Sequence, residues 1–124
     1  MTVSELYGKI GGDYEKAISV LRVEKLIDKH IRKFPKSGVV EALIEAGNTM
    51  DATALFEAAH AMKGVCSNLG LIKLAELASE IAEEYRPGNS RSLSDAQVKE
   101  KIEEIKALYQ KAAQGIGEYE AALL

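Results

Sequence analysis

The sequence predicts an all-α protein, an up-and-down antiparallel four-helix bundle with short additional N-terminal helices. The chain has 124 residues, which suffice for one domain with one core. Hydrophobic residues make up 47% of it, with no Trp and only two Pro, a composition that favours helices. No run of alternating Val, Ile and Thr predicts a strand. Short connections between long amphipathic helices favour antiparallel neighbours, which gives the bundle topology.

The N-terminal part is predicted to contain two short helices. The first covers about residues 4–10 and ends at Gly11-Gly12. Asp13 is a good N-cap for the second, which covers about residues 14–21.

Two further helices precede the centre of the chain. One covers about residues 23–34 and ends at Pro35, and the next covers about 38–46 and ends at Gly47-Asn48. The predicted apolar stripe of the former consists of Val23, Leu26, Ile27, His30 and Phe34. On this stripe His30 is interpreted as a packed or bundle-end residue.

A helical hairpin is predicted at the centre. Its first arm covers about residues 51–69 and ends at Gly70, and its second covers about 71–86 and ends at Pro87-Gly88. The core stripe predicted for the second arm consists of Leu74, Leu77, Ala78, Ile81 and Tyr85.

The last predicted helix begins after the N-cap Ser94 and runs to about Gln114. Its apolar stripe consists of Val98, Ile102, Ile105, Tyr109 and Ala112. We therefore predict a single domain over residues 1–124, with a core bundle over about 23–114 and a helical extension over 1–22.

Composition also excludes several classes of function. The formal charge of −3 gives no electrostatic basis for binding nucleic acid. No apolar run is long enough to span a membrane, and the N-terminus lacks the order of a signal peptide. The single cysteine, Cys66, excludes an internal disulfide. These observations predict a cytoplasmic protein, expected to be a monomer, that binds neither nucleic acid nor a membrane.

The first arm of the hairpin carries the candidate site. At about 100° per residue, one face of this helix consists of Leu55, Ala59, Met62, Cys66 and Leu69. His60 lies about 160° from the centre of that face, so it is expected to point into solvent. The residues three, four or seven positions away that share its side are Glu57, Lys63, Gly64 and Ser67.

These residue types suit transfer of a phosphoryl group. An imidazole is nucleophilic near neutral pH. Lys63, one turn on, can place an ammonium beside phosphate oxygens. Gly64 lowers helix stability by about 0.5–1 kcal/mol relative to alanine, which makes sense if another protein must approach the ring closely.

Residues 60–70, HAMKGVCSNLG, closely resemble the signature of the histidine-containing phosphotransfer (Hpt) domain. That pattern is His, any residue, Leu or Met, Lys, Gly, and a second Gly six positions later. The likeness continues through Leu74 and Ile81, and extends weakly upstream to Phe56 and Gly47-Asn48.

The resemblance implies a histidine phosphotransfer protein of a two-component phosphorelay, without kinase activity of its own. It implies that His60 is the phosphoacceptor, that Lys63 stabilises the phosphoryl group and that Gly64 gives steric access. The implied partners are response-regulator receiver domains and a histidine kinase. The resemblance implies that this chain has no cofactor of its own, because the Mg²⁺ that the reaction needs belongs to the receiver.

One departure from the family pattern concerns the orientation of the histidine. Many members carry Glu or Gln one residue after the position of Ile81, where it can orient the second ring nitrogen, whereas this chain has Ala82. Water or another group is then expected to orient His60. The same departure leaves open a helical adaptor that docks receiver or kinase domains without being phosphorylated.

Secondary contacts have more than one interpretation. Phe56 either packs at the margin of the bundle or adds an apolar contact to a docking surface. Ser67 and Asn68 can bond a phosphoryl group or cap the helix end. Glu57 and His60 also match the Glu-x-x-His motif of di-iron bundles, but that site needs a second copy and inward-facing ligands.

Overall fold

The computed structural model describes residues 1–123, and position 124 of the predicted domain lies outside the described residues. These residues form seven α-helices and one 3₁₀ turn at Phe34–Lys36, with no strand among them. The helices are α1 (Val3–Ile10), α2 (Tyr14–Leu21), α3 (Glu24–Lys33), α4 (Val39–Thr49), α5 (Ala52–Asn68), α6 (Ile72–Tyr85) and α7 (Asp95–Ala122). The all-α prediction is confirmed.

The predicted helix starts agree with the structure to within about one residue, and the caps predicted at Asp13 and Ser94 are present. The Asp13 carboxylate accepts a hydrogen bond from the Lys16 N–H at the start of α2. The Asp51 carboxylate does the same for Ala54 at the start of α5. Ser94 and Gln97 form a reciprocal capping box at the start of α7.

The apolar stripe predicted for α3 is wrong in its orientation. Its buried residues are Ile27 and Ile31, continued by Phe34, whereas Val23 and Leu26 are 51% and 39% exposed. His30 is also exposed. The packed face is centred on isoleucines four positions apart, which turns the neighbouring His30 towards solvent.

The predicted end of α4 at Gly47-Asn48 is also wrong. The helix continues to Thr49, and Met50 ends it with a left-handed φ of 56°. Gly47 is buried against α7, where an added Cβ would lie 2.7 Å from the Ile102 Cδ1 atom. This glycine therefore permits close approach of two helices and does not end one.

The last helix extends past the predicted end at Gln114 to Ala122. Gly115 does not break it, because the position is buried against α1 and an added Cβ would lie 2.6 Å from the Ile10 Cγ2 atom. The Tyr119 hydroxyl in this extension donates a hydrogen bond to the Asp28 carboxylate of α3. The extra turns of α7 thus provide the surface on which α1 and α3 pack.

Helices α4 to α7 contribute most of the buried residues of the core, and α1, α2, α3 and the adjoining turns add the rest. Helix α5 packs against α4 and α6, and α7 packs against the same two helices. The apolar stripes predicted for α6 and α7 are buried, except that Tyr109 is half-buried.

The turn between α5 and α6 depends on Gly70, which has φ of +70°. The Leu71 N–H donates to the Cys66 carbonyl and the Gly70 N–H donates to the Ser67 carbonyl, which closes a Schellman motif. The predicted end of the first arm at Gly70 is confirmed.

The N-terminal helices hold this turn in place. The Asp13 N–H donates to the Gly70 carbonyl at 2.8 Å. The buried Tyr7 hydroxyl donates to the Leu69 carbonyl at 2.7 Å. The carbonyls of the C-cap residue Leu69 and of Gly70, which follows it, are therefore paired with residues distant in sequence.

The loop between α6 and α7 is fixed by the buried carboxylate of Glu84. Its Oε2 atom accepts hydrogen bonds from the Arg91 guanidinium and from the N–H groups of Ser92 and Leu93, and its Oε1 atom accepts one from the Ser92 hydroxyl. Burial raises the pKa of this carboxyl, but the hydrogen bonds from Leu93, Arg91 and Ser92 outweigh burial. The pKa falls from 4.5 to about 2.

Replacing Gly70 with alanine is expected to destabilise the protein by at least about 1–2 kcal/mol. The new Cβ would overlap the Asp13 carbonyl oxygen, and alanine disfavours the left-handed conformation. Urea unfolding measures the change. The matched control is Gly117→Ala in α7, where an added Cβ meets nothing within 4 Å and stability should rise by up to about 1 kcal/mol. Equal stability of the two variants would contradict this account.

Replacing Glu84 with glutamine is expected to lower the free energy of unfolding at pH 7 by about 1–2 kcal/mol, because the carboxylate loses its charge. A carboxyl whose folded pKa is about 2 and whose ordinary value is 4.5 stabilises the fold above pH 4.5 and loses that contribution as the pH falls towards 2. The variant should therefore lose less stability than wild type between pH 5 and about 2. Glu76→Gln, an exposed glutamate on the same helix, is the control. Parallel pH profiles for Glu84→Gln and wild type would refute the assignment.

Candidate functional site

His60 lies on the exposed side of α5. The opposite side is buried, with Leu55, Ala59, Met62 and Cys66 at 0% exposure and Leu69 at 3%. Because that face packs against the core, helix geometry leaves His60 pointing outward. The imidazole is thus accessible to a second protein.

The structure places Lys63 and Gly64 one turn from His60, as helical spacing requires. Lys63 is half-buried, and Gly64 is exposed. A Cβ added to Gly64 meets nothing within 4 Å. Packing within this chain therefore gives no reason for glycine at this position.

Ser67 lies two turns beyond His60, about 10 Å along the helix axis. Its backbone carbonyl accepts the Gly70 N–H in the turn that ends α5. The structure therefore brings Ser67 to the same side of the helix as His60, but not beside the ring. Glu57 is exposed one turn before His60.

Phe56 lies against the His60 ring. The ring centroids are 5.6 Å apart and the ring planes are inclined by 22°, which is a stacked arrangement. Phe56 is half-buried and also packs against the hydrophobic core. It therefore forms the margin of the bundle and one boundary of the site.

Arg86 and Glu83 complete this side of the site. The Arg86 guanidinium carbon lies 5.3 Å from the centroid of the Phe56 ring. Arg86 also donates hydrogen bonds to the Glu83 carboxylate from Nε and from Nη2, the latter at 2.8 Å. The hydrogen bond from Arg86 lowers the pKa of the Glu83 carboxyl, and the positive charge of Lys63 contributes to the same shift. Arg86 therefore lies over Phe56 with Glu83 beside it, and Lys63 is near enough to Glu83 for its charge to act there.

Sequence reasoning did not identify Arg86 and Glu83 as site residues. A usable signal was present, because antiparallel arms bring together residues at similar distances from their common turn. Phe56 precedes the Gly70 turn by about as much as Arg86 follows it. Periodicity does not predict the side-chain rotamers that bring Phe56 and Arg86 into contact.

The position where many family members carry Glu or Gln does not face the site. Ala82 is fully buried in the core. The ring of Phe56, and not residue 82, lies against the His60 ring. His30 lies elsewhere and lines a shallow cleft with Val65 and Asn68.

The di-iron interpretation of Glu57 and His60 finds no support in the geometry. Both residues are exposed on the outside of α5. Within the described residues, no three His, Cys, Asp or Glu side chains lie close enough together to hold a metal ion. Over the same range, no helix is both long and apolar enough to cross a membrane.

The arrangement suits a reaction that takes place between two proteins. It consists of the exposed imidazole of His60, the ammonium of Lys63 one turn away, and the Gly64 position, which carries no side chain. Nothing covers the ring from the solvent side among the described residues.

Comparison with known proteins identifies the family. The family model of the Hpt domain matches residues 37–115, more than half of the chain, and this range contains α4, α5, α6 and most of α7. No curated protein and no solved structure gives a significant match. Hpt domains are phosphotransfer modules of phosphorelays and are not kinases. The chain therefore belongs to the Hpt domain family.

Proposed function

We propose that this protein is a phosphorelay intermediate of a two-component system, in which His60 accepts a phosphoryl group and passes it on. The donor is a receiver-domain aspartyl phosphate or a histidine kinase, and the acceptor is another receiver domain. The observation that carries the proposal is an exposed His60 beside a glycine with open space around it, within the matched range.

The chemistry is a direct exchange of one bond for another. The lone pair of the His60 Nε2 atom attacks phosphorus, a P–N bond forms, and the P–O bond to the donor aspartate breaks with the electron pair leaving on the carboxylate. The return step reverses these changes on the second receiver. Lys63 contributes a positive charge near the phosphoryl oxygens in both directions.

Gly64 contributes space. An in-line transfer needs the donor aspartate within a few ångströms of the imidazole. A side chain one turn from His60 would occupy the volume that the receiver's active site must enter. Open space around the Gly64 Cβ position supports this role.

The same proposal includes the bundle topology, the source of Mg²⁺, the oligomeric state and the compartment. Helices α4 to α7 form the antiparallel up-and-down bundle of the family, which their mutual packing supports. The receiver supplies Mg²⁺, and this chain supplies no cofactor. The protein acts as a cytoplasmic monomer that meets its receivers and kinase by diffusion.

A non-phosphorylated adaptor is the second candidate function. The observation that favours it is Ala82, which is buried and leaves His60 without the usual Glu or Gln partner. The adaptor would dock receivers on the same surface without chemistry at His60. Phosphorylation assays separate the two functions.

His60→Gln is expected to abolish incorporation of an acid-labile, base-stable phosphoryl group, because the ring nitrogen that forms the P–N bond is lost. The fold should persist, since the side chain is exposed. Labelling with radioactive phosphate through phosphorylated receiver domains of the source genome measures the effect. His30→Gln, which changes the chain's other histidine at another exposed position, is the control and should label normally. Labelling of His60→Gln would refute the proposal, and failure of wild type to label with any donor would favour the adaptor.

Gly64→Leu is expected to fold normally and melt at the same temperature or higher, yet to accept phosphate from a receiver about a hundredfold more slowly. The leucine improves helix propensity but obstructs the approach of the donor. Phosphoramidate, a small donor, should be affected much less. Gly117→Leu is the matched control, because it is also an exposed helical glycine with open space around Cβ. Wild-type transfer rates for Gly64→Leu would show that the glycine does not serve access.

A further inference from the structure

The stack of Phe56 on His60 covers one face of the imidazole. The centroid distance of 5.6 Å and the inclination of 22° place the two rings nearly parallel. Both nitrogens of an imidazole carry their lone pair or hydrogen in the ring plane. A neighbour on the face therefore restricts rotation of the ring while it leaves both nitrogens free to react.

Phe56 is itself held on more than one side. It packs against the hydrophobic core below it. The guanidinium of Arg86 lies over its ring, and Glu83 fixes that guanidinium through two donor nitrogens. The core and Arg86, the C-cap residue of α6, therefore both hold Phe56 in place.

The same end of α6 offers His60 no hydrogen-bonding side chain at Ala82, which faces the core. A freely rotating exposed imidazole would point its reactive nitrogen in several directions, and most of them do not lead to transfer. The ring therefore needs another orienting contact, and the stack with Phe56 can provide it.

We infer that Phe56 is the positioning residue of this site: its aromatic face, held by Arg86 and Glu83, orients the His60 ring for attack. This inference rests on the proposed function and assigns a role that a hydrogen bond would otherwise fill. Phe56 acts through the orientation of His60 and takes no part in the bond changes.

Phosphoramidate provides a test that does not involve protein docking. The His60 Nε2 atom attacks phosphorus, the P–N bond of phosphoramidate breaks, and ammonia leaves. Phe56→Leu keeps an apolar side chain but removes the aromatic face, so labelling by phosphoramidate should slow by about two- to tenfold. Phe56→Tyr keeps the face and should label at nearly the wild-type rate.

Nuclear magnetic resonance reports the contact independently of activity. In wild type, the His60 ring protons should show a ring-current shift and a nuclear Overhauser effect to the Phe56 ring. Phe56→Leu should abolish both and leave the rest of the spectrum in place. Tyr14→Leu is the matched control, because it removes another half-buried aromatic ring at a distance from His60.

The outcomes separate the two proposals. Wild type that labels at His60, with Phe56→Leu labelling equally fast from phosphoramidate, would overturn the positioning role alone. Slowing with a receiver donor but not with phosphoramidate would overturn it too, because Phe56 would then be a docking contact. Absence of the wild-type Overhauser effect would overturn it even if Phe56→Leu fails to fold. Failure of wild type to label at all would overturn the proposed function, and this inference with it.

Discussion

The complete burial of one face of α5 is the constraint on which the site depends. The rotation of α5 about its axis is restricted because four of its side chains are buried in the core, where the helix packs against α4, α6 and α2. Rotation of α5 by one residue in one direction would bury His60 and Lys63, and rotation in the other direction would replace the large core side chains Leu55 and Met62 with alanines. The direction of His60 is therefore set by residues on the other side of the helix.

Hydrogen bonds fix both ends of α5. Asp51 caps the beginning, and Gly70 turns the chain back at the end. Tyr7 and Asp13 bond to the last carbonyls from helices that precede the family-matched range. The segment that carries the chemistry is thus stabilised partly by residues outside the range by which the family is identified.

Periodicity and capping chemistry predicted most of the fold, and the errors at two helix ends have a common cause. The sequence pattern predicts one helix end at Gly47-Asn48, because glycine lowers helix propensity, and another at about Gln114, just before Gly115. In the structure each of these two glycines lies where another helix approaches, at Ile102 and at Ile10. Such a contact depends on a residue far away in sequence, so local pattern cannot show it. The buried face predicted for α3 is wrong for a different reason. Several rotations of a helix with mixed polar and apolar residues bury a comparable number of apolar groups, so the pattern does not select one of them.

The residues of the site also differ in whether the sequence pattern can predict their positions. His60, Lys63 and Gly64 share one helix, and helical spacing alone places them together. The Phe56 stack depends on rotamers, and Arg86 depends on how α6 lies beside α5, so neither follows from spacing.

The same buried face contains the chain's single thiol. Cys66 is 0% exposed, and burial raises the pKa of its thiol to about 12. In the folded state an alkylating reagent therefore meets neither an accessible sulfur nor a thiolate. Cys66 lies in the core beneath the helix that carries His60, so modification requires α5 to detach from its neighbours. The rate of alkylation would then report how often that helix opens, read from one native atom without any added label.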